Sequence, residues 1–396
     1  MKKIEGGIAA VGGFLASGVR AEIKEEGLDL ALIYSKSPAC GAAVFTTNQV
    51  QAAPVKLSRK NVQEGNVQAV VINSGVANAC TGKKGRKNAE KMLAKTAEEL
   101  ELEPEEVVVA STGVIGDQLP IDRITVGIEQ AAFDLSKSGG NPAARAIMTT
   151  DTYPKELALE FEVAGTSVRL GGIAKGSGMI EPNMATMLSF FTTDVAIDRE
   201  LLVEALDESV EYSFNKITVD GDQSTNDTVA ILANGEAGNE KITEKGAAYE
   251  QFLGALEYAT RELAQEIVRD GEGGNKFVEV EVVEAVSEKQ AEKIARKVAN
   301  SSLVKTALFG EDSNWGRIVG AVGAAGEDID LAKLEVTING EDVFGPKEEV
   351  HDFPEDLLKE DEIFIKIHLD QGIGAEKIWT CDLSYDYVEI NAEYHT

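Results

Sequence analysis

The run Met187-Leu188-Ser189-Phe190-Phe191 offers almost no polar face. A strand with apolar side chains on both sides needs cover above and below, so this run reads as a central strand buried on both faces. The rest of the chain can supply that cover. Short apolar strands alternate with amphipathic helices, which predicts a layered α/β or α+β architecture. Gln68 to Asn73 reads as a buried strand ending in the polar turn Ser74-Gly75, with a helix from about Lys87 to Leu100 behind it. Val107 to Ala110 is the next strand, stopping at Ser111-Thr112-Gly113. Asp198 is expected to cap a helix through Leu202, Ala205 and Leu206.

The second half repeats the style. Phe252, Leu256, Ala259, Leu263 and Ile267 fall on one face of a long helix that ends at the glycine turn Asp270 to Gly274. Val278, Val280 and Val282 alternate with Glu279 and Glu281, the pattern of a half-buried strand, and a helix from about Lys289 to Ala299 follows. Strands are expected near Leu334–Ile338, Ile363–His368 and Val388–Asn391. A chain of 396 residues exceeds one compact core, so it forms two domains or one large layered unit. No repeat or flexible linker marks a boundary. The only natural division falls just before Thr186, giving segments 1–185 and 186–396.

Bulk composition narrows the partners. The chain carries 38 basic and 68 acidic residues, a net charge of −30, which argues against nucleic acid and anionic membranes. Cys40, Cys80 and Cys381 are odd in number and far apart, so a reduced, cytoplasmic setting is the simplest expectation. The cysteines lack metal-ligand spacing and the three histidines are scattered, so no metal is assigned. The apolar N-terminal stretch from Gly6 to Ala16 imitates a signal peptide, but Glu5 and four glycines dilute it, and it reads as a loop and strand. No apolar run reaches membrane-spanning length. Gly171 to Gly178 lacks the ending of a phosphate loop, and Gly320, Gly323 and Gly326 suit helix packing better than a dinucleotide fingerprint. No cofactor is expected.

Chemistry enters with the stretch Lys175 to Phe191. A glycine-rich turn leads to Ala185-Thr186 and then to the apolar run, the order a chain needs if it cuts itself before a threonine. Cutting Ala185–Thr186 would place a hydroxyl and a free α-amine on one residue, as nucleophile and base. Such an amine titrates near pH ~8, so a useful fraction is unprotonated at neutral pH.

Five further segments are more polar than their surroundings: Asn73–Gly82, Ser111–Gly116, Thr149–Thr152, Asp220–Thr228 and Asn314–Arg317. Each alone reads as an ordinary turn. Together with the Thr186 stretch, in this order from Gly6 to Thr396, they resemble the glutamate N-acetyltransferases of the arginine pathway, also called ornithine acetyltransferases. The resemblance implies an α-β-β-α sandwich of the kind shared with self-cleaving aminopeptidases. It also implies autocleavage between Ala185 and Thr186, with Thr186 as nucleophile. Thr112 and Gly113 would supply the oxyanion hole, and Thr149, Lys175, Thr186, Glu272, Asn391 and Thr396 would contact substrate. The implied reaction moves the acetyl group of N-acetylornithine to glutamate. The implied assembly is a heterotetramer of two α and two β fragments.

The residues make these roles chemically reasonable. Backbone N–H groups beyond a strand end can face a developing oxyanion. Lys175, a lone cation among glycines, can hold an α-carboxylate, and Glu272 can pair with the δ-ammonium of ornithine. Asn391 and Thr396 serve only if the tail folds back, which a terminal strand through Val388 and Ile390 would allow. Val76, Gln223 and Ser313 depart from the family pattern but touch none of the implied reacting groups. Two other readings stay open: an N-terminal-nucleophile aminopeptidase that hydrolyses amides, and a non-catalytic acidic binding protein. Whether acetyl-CoA also donates is not readable, though the missing nucleotide cradle favours acetylornithine alone.

Overall fold

The computed structural model describes residues 1–181, 187–346 and 357–393. Pro182 to Thr186 and Thr396 therefore lie outside the described residues. The chain divides into two compact units, one of Met1–Asn215 with Gln223–Ile267, the other of Lys216–Asp222 with the described part of Val268–His395.

The first unit contains strands β1 (Lys2–Lys3), β2 (Phe14–Val19), β3 (Leu30–Ser35), β4 (Cys40–Phe45) and helix α1 (Ala53–Glu64). Strand β5 (Ala69–Val76), helix α2 (Gly82–Leu100), strand β6 (Val107–Val114) and helices α3 (Ile121–Phe133) and α4 (Gly140–Ala146) follow. Strands β7 (Lys155–Val163), β8 (Thr166–Lys175) and β9 (Leu188–Thr193), helix α5 (Arg199–Glu211), strand β10 (Thr228–Ala233) and helix α6 (Ala247–Arg269) complete it. Two sheets result, one ordered β1-β7-β8-β9-β10-β4 and one ordered β2-β3-β5-β6. They share a core: Ile33, Val70, Ile72 and Val108 from the smaller sheet meet Ile173, Leu188, Phe190 and Leu232 from the larger. On the outer face of the smaller sheet, Leu32, Val71 and Val109 pack on Met92 and Leu93 of α2 and on Ile124 and Ile128 of α3. Gly172 lets Leu263 of α6 lie close over the larger sheet, where a Cβ would meet that side chain at 3.1 Å. Helix, sheet, sheet, helix is the layering expected from the resemblance.

The all-buried β9 lies between β8 and β10, as expected from its apolar start, and its Ser189, Thr192 and Thr193 hydroxyls donate to backbone carbonyls. The strand ends differ from expectation. β5 runs on to Val76 and β6 to Val114, and their parallel pairing carries Thr112 opposite Ser74 and Gly113 opposite Gly75. The polar residues stay in the ladder because they satisfy one another: Ser111 Oγ donates to Asn73 Oδ1 at 2.6 Å, and both are buried. Asp198 does precede α5, but it makes no side-chain cap and pairs instead with Lys241 at 2.5 Å. Near the N-terminus, Ile8, Val11 and Phe14 are core residues, in keeping with a loop and strand.

The second unit is built on a sheet ordered β13-β12-β14-β11-β15. Its elements are β11 (Phe277–Ala285), α7 (Glu288–Ala299), α8 (Ser302–Phe309), α9 (Trp315–Gly323), β12 (Glu335–Ile338), β13 (Glu341–Phe344), β14 (Glu362–His368), β15 (Gly374–Cys381) and α10 (Tyr385–Glu393). Val278, Val280 and Val282 face a core with Ile294, Val298 and Ile318 of the helices. Gly320 and Gly323 meet nothing within 4 Å, so they serve no close helix packing. The expected strand at Val388–Asn391 is helix α10, which buries no residue. Two apolar side chains two apart are too short a pattern to separate strand from helix.

The compact units do not follow the segments 1–185 and 186–396. Strands β8 and β9, which flank the unassigned bond, pair antiparallel in one sheet.

Candidate active site

Four of the predicted site residues meet at one end of the first unit. Thr112 and Gly113 lie near the end of β6, Thr149 in the loop before β7, and Lys175 at the end of β8. The buried Lys175 ammonium donates to Thr149 Oγ1 at 2.8 Å and reaches Thr112 Oγ1 at 3.5 Å. Thr112 and Thr149, 37 positions apart in sequence, thus share one cation.

The end of β6 is held tightly. Asn226 Nδ2 donates to Ser111 O at 2.8 Å and to Ala77 O at 2.6 Å, while Asn73 Nδ2 donates to Val76 O at 2.9 Å. Gly113 has φ +125, and a Cβ there would lie 2.3 Å from the Gly75 carbonyl carbon. Only glycine fits this approach of β5 and β6. Residues from four of the five polar segments therefore meet in the first unit, Asn226 standing for Asp220–Thr228, and Asn314 to Arg317 instead opens α9 in the second unit.

A buried carboxylate supports the cation. Asp151 Oδ1 pairs with Lys155 Nζ at 2.7 Å and accepts the Gly176 N–H at 2.7 Å, and Oδ2 accepts the Thr149 N–H at 3.0 Å and lies 3.9 Å from Lys175 Nζ. Burial alone would raise the carboxyl's pKa. The charges of Lys175 and Lys155 and the bonds from Lys155 and Gly176 prevail and hold it well below the usual carboxylate range. Lys24, whose Nζ donates to Met148 O at 2.9 Å, has its pKa lowered by burial, with Lys175 adding to the effect against Asp29 and Asp151.

Asp227 behaves oppositely. Burial pushes its carboxyl well above the usual range, against hydrogen bonds from Ser224 and Thr46, the charge of Lys175 and the Met187 N–H. Its Oδ2 finds no hydrogen-bond partner among the described residues. Met187 is also fixed through its carbonyl, which accepts the Thr228 N–H at 3.0 Å, and Leu188 pairs with Lys175 across the sheet. The residues on the C-terminal side of Thr186 are thereby anchored, while Ala185 and Thr186 lie outside the described residues.

In the second unit, Glu272 follows α6 in the expected glycine turn, and Asn391 Nδ2 donates to Glu272 Oε2 at 2.8 Å. Gly273, at φ +64, admits α10, since a Cβ there would meet the Tyr387 nitrogen at 2.4 Å. Burial raises the Tyr387 pKa, and Asp220 and Glu272 add to it. The tail thus places Asn391 on Glu272 as a helix rather than a strand, and Thr396 lies outside the described residues. Asp151, Asn226 and Asp227 were not singled out from sequence. Their segments were flagged as polar, but only the fold shows which members are buried.

The ArgJ family profile matches residues 15–396. The chain belongs to the ArgJ family. It is 49% identical to the arginine biosynthesis bifunctional protein ArgJ of Caldanaerobacter subterraneus subsp. tengcongensis, with 100% of both chains covered. The ArgJ of Bacillus subtilis is 44% identical, covering 100% of this chain and 98% of the relative. Among solved structures, ArgJ of Bacillus halodurans matches with TM-score 0.44 and 45% identity over 46% of this chain and 97% of that one. The ornithine acetyltransferase of Mycobacterium tuberculosis, complexed with ornithine, matches with TM-score 0.44 and 41% identity over 46% and 99%. As an ArgJ-family member the chain is an acyltransferase of arginine biosynthesis acting on small molecules, which sets aside the non-catalytic binding protein. Among the described residues no helix is long and apolar enough to cross a membrane.

Proposed function

We propose that this chain moves the acetyl group of N-acetylornithine to glutamate through an acetyl ester on Thr186, formed after the chain cuts itself at Ala185–Thr186. The observation that carries this reading is the gathering of Thr112, Thr149 and Lys175 around one buried ammonium, on the strand that pairs with β9 just after Thr186.

In the precursor, Thr186 Oγ attacks the Ala185 carbonyl and water opens the resulting ester. Strand pairing on both sides of the connection keeps the two fragments in one sheet after the cut. In the mature enzyme the Thr186 hydroxyl adds to the acetyl carbonyl while its α-amine takes the proton. Thr112 and Gly113 stabilise the tetrahedral oxyanion, each donor contributing about 3 kcal/mol. The amide C–N bond breaks, the proton passes to the departing ornithine amine, and glutamate attacks the ester in the same pocket. Both substrates are α-amino acids, so one carboxylate clamp at Lys175 serves both, and Glu272 and Asn391, which pair within the second unit, keep the substrate-contact roles the family resemblance implies. A single site used twice gives ping-pong kinetics.

Incubation with N-acetylornithine and glutamate tests the reading. Acetylglutamate is the expected product, and free acetate alone would mean an amide hydrolase. A second reading is favoured by the relatives, which bear the name bifunctional, against the sequence-based preference for acetylornithine as sole donor. Acetylglutamate formed from acetyl-CoA and glutamate would support it. We place the enzyme in the cytoplasm as a heterotetramer of two α and two β fragments, which native mass spectrometry of the processed protein checks.

A further inference from the structure

We propose that Asp151 is the positioning residue for substrate-carboxylate recognition, fixing Lys175 and the Thr149 and Gly176 backbone in one arrangement from a single buried carboxylate. The inference rests on the assignment of Lys175 to the substrate carboxylate.

Asp151 is placed unlike an ordinary ion-pair partner. Its side chain and that of Lys155 are fully buried, and it binds the two segments that carry the expected substrate contacts Thr149 and Lys175. One oxygen accepts the N–H of Gly176, next to Lys175, and the other accepts the N–H of Thr149, whose hydroxyl in turn accepts from Lys175 at 2.8 Å. The loop before β7 and the end of β8 are thus tied to one group.

The distances divide the charge unequally. Lys155 sits at 2.7 Å and Lys175 at 3.9 Å, so Lys155 takes the close contact and Lys175 is attracted without being drawn into a tight pair. The Lys175 ammonium also reaches Thr112 and Thr149, so the carboxylate and the two hydroxyls fix its position together. Removing the carboxylate would take a buried anionic partner from both ammoniums.

The test uses processed full-length protein and two probes, N-acetylornithine and its α-methyl ester, with the ratio of their kcat/KM values as the readout. The parent protein should prefer the free acid, and Lys175→Met should abolish that preference. Asp151→Asn should lower it by about ten- to hundredfold, mainly through KM of the free acid, with the ester little changed. Adding Asp151→Asn to Lys175→Met should change the ratio no further. If Asp151→Asn does not fold, Asp151→Asn with Lys155→Met removes both buried partners together, and the same loss of preference is expected. Should Lys175→Met lose the preference while the Asp151 variants keep it, the positioning role is overturned and the site assignment stands. Should Lys175→Met keep the preference, both are overturned.

Discussion

Replacing Gly113 with alanine tests the oxyanion assignment through its geometry. The added Cβ would lie 2.3 Å from the Gly75 carbonyl carbon, 2.5 Å from its oxygen and 2.7 Å from its Cα. Carbon atoms in contact prefer ~3.5–4.0 Å, so β5 and β6 must part by roughly 1 Å. All three obstacles are backbone atoms and cannot rotate aside. The φ of +125 adds about 1–3 kcal/mol of backbone cost. A shift of about 1 Å at a catalytic group costs about 10²-fold, and losing an oxyanion donor about 10²–10³-fold. The expected fall in kcat is therefore at least about 100-fold, read as acetylglutamate formed from N-acetylornithine and glutamate. Gly116 supplies the control, since its φ is +95 and nothing lies within 4 Å of its Cβ position. Alanine there should lower the melting temperature by a similar backbone cost and leave turnover near the parent's. A Gly113→Ala protein with parental turnover would refute the oxyanion assignment, and an equal loss in Gly116→Ala would refute the steric explanation.

Asp227→Asn should alter how stability depends on pH. The folded carboxyl keeps its proton above the point where the unfolded one loses it. Its contribution is complete below the unfolded value of about 3.9 and is lost as pH rises through the folded pKa. The variant should therefore gain stability relative to the parent as pH rises from about 4 to 8, and denaturant curves that stay parallel over that range would contradict the assignment. Removing residues 391–396 deletes the Asn391 contact to Glu272. KM for N-acetylornithine should rise while self-cleavage continues, and an unchanged KM would show that the tail does not serve the site. Thr186→Ala should give an uncut, inactive chain, as checked by electrophoresis and turnover, and normal activity in that variant would demand another nucleophile.

The layering was legible wherever one physical demand dominated. The run Met187–Phe191 offers almost no polar face, and the alternation of Val278, Val280 and Val282 fits a strand with one solvated side. The ends of β5 and β6 were misread because Asn73, Ser74 and Ser111 are typical turn residues, yet here their polar atoms are satisfied inside a buried ladder. Local composition cannot reveal that Asn73 finds Ser111, 38 residues away. Val388 and Ile390 gave too short a pattern, and α10 buries none of its side chains, so no core periodicity marked it as a helix. Lys175 and Thr149 came from family resemblance, and the fold supplied the carboxylate behind them. Asp151 could not be distinguished from a loop acid until Lys155 and Gly176 were seen to meet it. The same limit hid Asp227, whose unusual protonation follows from burial alone outweighing its hydrogen bonds and the charge of Lys175.

N-terminal sequencing and intact mass of purified, active protein bear most directly on the proposed nucleophile. Two polypeptides are expected, Met1–Ala185 and Thr186–Thr396, with the second beginning at threonine. A single uncut chain that still transfers acetyl groups would contradict the account, because Thr186 would then have no α-amine to take its proton.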